Sequence, residues 1–243
     1  MSGRFALYYA PRPDEGLAAA ASRWLGYSPE NGSTRAQPVL SRLRPERLAE
    51  ITAEPRLYGF HGTLKAPITL ADGVSERDFV DAAGRFAAAQ QPLTVPSMVL
   101  AEIGSFLALV PAGRCAGLQE LADRCVVEFD EYRRPAGQDE LARRRAAGLT
   151  PRQAELLRRW GYPYVLEQWR FHLTLSGRLP DAEERAAVIA VLREHFGGFV
   201  DRPLQVRDLC VFRQAAPDRR FTVLARFRLG GGRRVSSEAW RAS

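Results

Sequence analysis

The chain has 243 residues, is 46% hydrophobic, and carries a formal net charge of +7 with a sequence pI of 9.8. That length buries one large core or two modest ones. The absence of any apolar run long enough to span a bilayer argues against a membrane protein and predicts a soluble one. Three cysteines, Cys115, Cys125 and Cys210, are odd in number and widely spaced, which fits neither a zinc site nor a disulfide framework and points to the reducing cytoplasm.

In chain order, residues 4–10 alternate Phe5, Leu7 and Tyr9 with Arg4, Ala6 and Tyr8, the period of a strand, and Pro11 and Pro13 stop it. Residues 17–25 read as a helix, 28–38 as a polar loop, and a short helix follows Pro45. A strand is predicted over 57–70, interrupted near Pro67. Ser75 and Asp78 open a helix that runs to about residue 90. Residues 93–101 and 106–110 read as strands around Gly104, and 117–129 as a helix.

An insertion is predicted over residues 133–164. It begins with a very basic helix at 139–147, containing Arg143, Arg144 and Arg145. Thr150-Pro151-Arg152-Gln153 is a capping box for a second helix carrying Leu156, Leu157 and Trp160. Gly161-Tyr162-Pro163-Tyr164 leads into a strand over 168–179. There Trp169, Phe171, Leu173 and Leu175 face a core, and Arg170, His172, Thr174 and Ser176 face the other way. His195 ends a helix and reads as a C-terminal cation. The last strands, 204–212 and 221–229, join through Pro217-Asp218, and 230–243 read as a disordered tail.

Within this frame one string occurs twice. Two of the three histidines open the same tetrad, His61-Gly62-Thr63-Leu64 and His172-Leu173-Thr174-Leu175, 111 residues apart. At the same offset Pro92-Leu93-Thr94-Val95 falls on Pro203-Leu204-Gln205-Val206. With side chains alternating along a strand, each His shares a face with its Thr. Two imidazoles and two hydroxyls brought together bind a phosphate and move protons on both sides of it. The expectation is an α+β fold: a bilobal internal duplication with two antiparallel sheets flanked by helices and a central cleft. Residues 1–229 form one domain, with pseudo-repeats of about 1–112 and 113–229.

Lys65, the only lysine, is placed by simple alternation on the face of His61, and Arg170 flanks His172 in a mirror position. Each is a candidate contact for a substrate's second anion. No cluster of His, Asp, Glu and Cys has metal-ligand spacing.

The two tetrads, one per half of an α+β duplication, resemble the two-histidine (2H) phosphoesterase superfamily. The strings Arg56-Leu57-Tyr58-Gly59-Phe60-His61-Gly62-Thr63-Leu64-Lys65-Ala66-Pro67 and Arg170-Phe171-His172-Leu173-Thr174-Leu175-Ser176-Gly177, with Trp160-Gly161-Tyr162-Pro163-Tyr164, resemble a bacterial branch of undefined function associated with phosphonate metabolism. Gly62 departs from a purely apolar strand. The resemblance implies that His61 and His172 are the acid–base pair, that Thr63 and Thr174 hold the phosphate oxygens, and that no metal or other cofactor is needed. The implied reaction is hydrolysis of a small ribose cyclic phosphate such as 5-phosphoribosyl 1,2-cyclic phosphate, with Lys65, Arg170, Arg56 and the arginines of 133–159 at a second phosphate. Two alternatives accompany it. An RNA-end 2′,3′-cyclic phosphodiesterase or 2′-5′ RNA ligase-like enzyme would stack bases on Tyr8, Trp160, Tyr162 and Tyr164. A non-catalytic nucleotide- or phosphate-binding protein would have lost turnover.

Overall fold

The computed structural model describes residues 3–137 and 148–231; the expected basic helix at 139–147 and nearly all of the expected tail lie outside the described residues. The strands are β1 (Arg4–Tyr9), β2 (Tyr27–Ser28), β3 (Ser33–Thr34), β4 (Gly62–Thr69), β5 (Leu93–Ile103), β6 (Phe106–Pro111), β7 (Leu173–Thr174), β8 (Arg202–Val206), β9 (Asp208–Gln214) and β10 (Thr222–Arg228). The helices are α1 (Gly16–Leu25), α2 (Pro45–Ile51), α3 (Ala53–Tyr58), α4 (Glu76–Ala88), α5 (Ala116–Glu128), α6 (Pro151–Trp160) and α7 (Ala182–Phe196). Both capping boxes form: Ser75 Oγ accepts from the Asp78 amide, and Thr150 accepts from the Gln153 amide, with Gly161 in the left-handed region ending α6.

Eight strands make one antiparallel sheet in the order β10-β9-β1-β4-β7-β6-β5-β8. The two sheets expected from the duplication are its two four-stranded sides, joined at the middle by the pairing of Gly62 with Leu173. Each side takes two strands from each half of the chain: β1 and β4 stand with β9 and β10, and β5 and β6 stand with β7 and β8. One core runs under both sides, with Trp24, Phe79, Phe129 and Phe196 fully buried in it.

The repeated strings meet each other. Gly62 and Leu173 are the second residues of the two tetrads, and they are partners across β4 and β7. Thr94 and Gln205, the third residues of the two Pro-Leu-x-Val strings, are partners across β5 and β8, flanked by Leu93↔Val206 and Val95↔Leu204. Equivalent positions paired antiparallel are what a local twofold axis produces.

Four boundaries differ from the sequence reading. Residues 57 and 58 end α3 instead of starting a strand, because Gly59, at φ 74°, turns the chain before β4. The 28–38 loop holds the two-residue strands of a small hairpin. The second tetrad strand shrinks to Leu173–Thr174, since a 3-10 turn over Leu166–Gln168 precedes it and the Gly177 amide leaves the ladder to donate to Ile51 O. The run 204–212 is two strands on opposite sides of the sheet, β8 at one edge and β9 next to the other edge, broken at Arg207, with the Asp208 carboxylate held by Arg12 and Arg226.

Gly62 is required by packing. A Cβ there would collide with the Phe171 ring and sit 3.1 Å from Leu173 Cδ2. Gly62→Ala is expected to lower stability by about 1–3 kcal/mol as overpacking between the tetrad strands. Gly113→Ala, whose added methyl meets nothing within 4 Å, should change stability by less than about 0.5 kcal/mol. Urea unfolding of the two variants checks this; equal midpoints would refute the packing account.

Candidate active site

β4 and β7 bring His61, Thr63, His172 and Thr174 to one cleft of about 420 Å³. The Gly62↔Leu173 register sets His61 across from Thr174 and Thr63 across from His172, all on the face opposite the two central residues. Each histidine therefore stands beside the threonine of the other tetrad as well as its own.

The two imidazoles are anchored alike. His61 Nδ1 lies 2.8 Å from Gly59 O, and His172 Nδ1 lies 2.8 Å from Arg170 O. A carbonyl only accepts, so Nδ1 carries the hydrogen and Nε2 keeps its lone pair in the neutral ring. Thr63 Oγ1 is 3.3 Å from His61 Nε2. On the first side Gly59 aims its carbonyl by a positive φ, and a Cβ there would meet Pro29 Cβ at 2.6 Å.

The flanks differ. Tyr8 is the β1 partner of Thr63, is 1% exposed, and stacks on His61 with ring centroids 3.9 Å apart at 25°. Tyr58 stands 5.8 Å from His61. The equivalent partner of Thr174 on β6 is Ala108, and the aromatic contact to His172 is Phe106 at 5.6 Å, tilted. Burial draws His61 down to about 4, opposed by the Gly59 carbonyl and assisted by the neighbouring His172. His172 is lowered too, by burial, against the Arg170 carbonyl. Burial thus shifts both rings toward the neutral form.

Of the other predicted residues, Tyr8 and Tyr162 line the cleft; Lys65, Arg170, Arg56, Trp160 and Tyr164 do not. Lys65 does not share the face of His61. The β1–β4 register shifts between Tyr8↔Thr63 and Leu7↔Lys65, and this bulge turns Lys65 inward, where it is 4% exposed and Nζ donates to Val126 O at 2.9 Å. Burial draws its ammonium down to about 8. Arg56 is consumed by the fold, donating to Leu25 O, Thr52 Oγ1 and Ala49 O. Arg170 is exposed and contributes its carbonyl to His172. Tyr164 is 46% exposed and meets Tyr162 edge-on. His195 bridges α7 to α1 through Ala20 O at 2.9 Å, away from the cleft. Sequence reasoning missed Arg4, Tyr58, Phe106 and Arg178 on the cleft walls. The Arg4 signal was available, since it shares the strand parity of Tyr8.

A family model described as "Protein of unknown function (DUF1045)" matches residues 63–222, from the Thr of the first tetrad through the whole of the second. The chain belongs to the DUF1045 family. Two curated relatives of this DUF1045 chain carry the name ribose 1,5-bisphosphate phosphokinase PhnN. One, from Janthinobacterium sp. (strain Marseille), is 39% identical over 239 residues, 96% of this chain and 52% of the relative. The other, from Laribacter hongkongensis (strain HLHK9), is 34% identical over 203 residues, 83% of this chain and 46% of the relative. The DUF1045 chain thus spans about half the length of the curated relatives it matches. Among solved structures, TT0787 of Thermus thermophilus is similar with a TM-score of 0.49 at 15% identity, over 95% of this chain and 100% of that one. LigT of E. coli in its apo form is similar with a TM-score of 0.48 at 13% identity, over 95% and 100%.

Proposed function

We propose that the chain is a metal-independent phosphoesterase that opens a small ribose cyclic phosphate, 5-phosphoribosyl 1,2-cyclic phosphate being the substrate that fits best. The observation that carries this reading is the matched pair of Nδ1–carbonyl anchors, which leave two Nε2 atoms for one cleft beside two hydroxyls. His61, the more strongly depressed base, takes a proton from water as the water oxygen bonds to phosphorus. The bond from phosphorus to the ribose O2 breaks, and that oxygen takes a proton from Nε2 of His172, which enters the step as the imidazolium with Nδ1–H still held by Arg170 O. Thr63 and Thr174 donate to the non-bridging oxygens as charge gathers there. Exchange with solvent then restores the two protonation states.

The products of that step are chemically consistent with the relatives' name. Cleavage at O2 leaves the phosphate on C1, so a 5-phosphorylated substrate gives ribose 1,5-bisphosphate, the compound for which the longer relatives are named. The kinase activity itself is not assigned to this chain. Its one lysine lies in Leu64-Lys65-Ala66, not in the Gly-Lys-Ser/Thr of a phosphate-binding loop.

Purified protein assayed against ribose 1,2-cyclic phosphate, its 5-phosphate, and nucleoside 2′,3′-cyclic phosphates tests the reading. Turnover of the 1,2-cyclic compounds that chelator leaves unchanged is expected. Activity that appears only with added divalent metal would sink the mechanism, and preference for 2′,3′-cyclic ends would move the substrate to RNA.

A further inference from the structure

Beside the cleft lies a second cavity, of about 190 Å³, that the chemistry above does not use. The two share a wall made by Arg4, Ala66, Pro67 and Tyr162. Its other lining includes Lys65, Arg133 and Arg134. Four cationic side chains therefore line it, and among the described residues that line it there is no carboxylate.

The buried member is Lys65. A lysine carries three N–H donors, and the hydrogen bond to Val126 O uses one of them. The β-bulge that removes Lys65 from the His61 face delivers it here, into a low-dielectric wall where an ammonium gains most from an anion. Arg133 is held by Asp130 at 3.0 Å, which fixes its guanidinium at the cavity, and Asp130 also takes Arg159 at 3.3 Å. Arg134 is half exposed and reaches Asp72 on the outside. Asp130 and Asp72 offset part of the charge of Arg133 and Arg134 from outside the lining, and Lys65 and Arg4 add two further cations, so the cavity keeps a positive excess; beside a phosphoryl-transfer centre that excess favours a substrate with a second anionic end.

We propose that this cavity is the subsite for a remote phosphate monoester on the substrate, with Lys65 and Arg134 as specificity-determining residues and the shared wall carrying the sugar between the two sites. The proposal rests on the reading of the two-histidine cleft as the reacting centre. It drops Arg170 and Arg56 as partners of Lys65 and narrows the expected arginines of 133–159 to Arg133 and Arg134.

The test separates the two ideas. Binding of ribose 1,2-cyclic phosphate and of its 5-phosphate is measured by calorimetry on the full chain carrying His61→Ala and His172→Ala, which holds both compounds without turning them over. The 5-phosphate should improve affinity at least about tenfold. Lys65→Gln and Arg134→Ala should each remove most of that gain. Arg134 is half exposed, so its variant keeps the test valid should the buried Lys65 variant fail to fold. In the active protein, Arg134→Ala should raise KM for the 5-phosphorylated compound about tenfold with kcat within about twofold, because a remote anion is held equally in ground and transition states. KM for the unphosphorylated compound should not move. Equal affinity for both compounds, or a gain that survives both substitutions, overturns the subsite, as does an affinity gain confined to RNA fragments. Failure to turn over any cyclic phosphate would instead remove the two-histidine reading, and the binding arm would still decide the cavity.

Discussion

Either His61→Ala or His172→Ala should lower kcat on a ribose cyclic phosphate by about 10²–10⁴-fold, the range of one lost acid or base. The double variant should lose little more than the worse single one, because both protons move in one step. The pH dependence carries the assignment of roles. His61 must be deprotonated and His172 protonated, and burial lowers both, His61 to about 4. The kcat/KM profile should therefore rise through about 4 and fall again below the ordinary imidazole value of 6.5, giving an acidic optimum. His172→Ala should abolish the falling limb selectively. An optimum above about pH 8 would contradict it, and full activity in either alanine variant would end the two-histidine mechanism.

Thr63→Ala and Thr174→Ala should each cost about 2–4 kcal/mol in the transition state, by analogy with a lost oxyanion donor. The loss should appear in kcat and leave KM nearly unchanged, since the hydroxyls meet more charge as the phosphorane forms than in the bound ground state. Thr63 has a second duty, as its hydroxyl stands 3.3 Å from His61 Nε2. Thr63→Ser keeps that hydroxyl and should recover most of the activity. Equal damage from Ser and Ala would mean that the methyl group, and hence packing, is what matters. A loss confined to KM would recast both threonines as ground-state binders.

The His and Thr quartet was legible because two period-two strings repeated at a fixed spacing, and strand alternation alone assigns His and Thr to one face. Most helices were legible for a similarly local reason, from capping boxes at Ser75 and Thr150 and from the glycine that stops α6. What the sequence concealed was non-local. The bulge that turns Lys65 away from His61 depends on the register of β4 against β1, which no window around Lys65 contains. Arg56 lies in the recognisable first string, yet its guanidinium is spent on backbone carbonyls of α1 and α2. The break at Arg207 between β8 and β9 has no proline or glycine to announce it, because what separates them is the choice of different partner strands, β5 for one and β1 for the other.

The local twofold through Gly62↔Leu173 and Thr94↔Gln205 also bears on how the centre exists at all. Neither half of the chain owns a complete one. His61 faces Thr174, His172 faces Thr63, and each side of the sheet borrows two strands from the other half. The two histidines and two threonines meet at what is, physically, an interface between two copies of one motif, written into a single polypeptide. Tethering replaces the loss of translational freedom that two separate chains would suffer on docking with a loop-closure entropy that grows only with the logarithm of the loop. It also frees each copy to change alone, so that one imidazole sits under Tyr8 while the other half has Ala108 at the matching position. A symmetric dimer would have to treat the attacking and leaving oxygens alike; a tethered one can tell them apart.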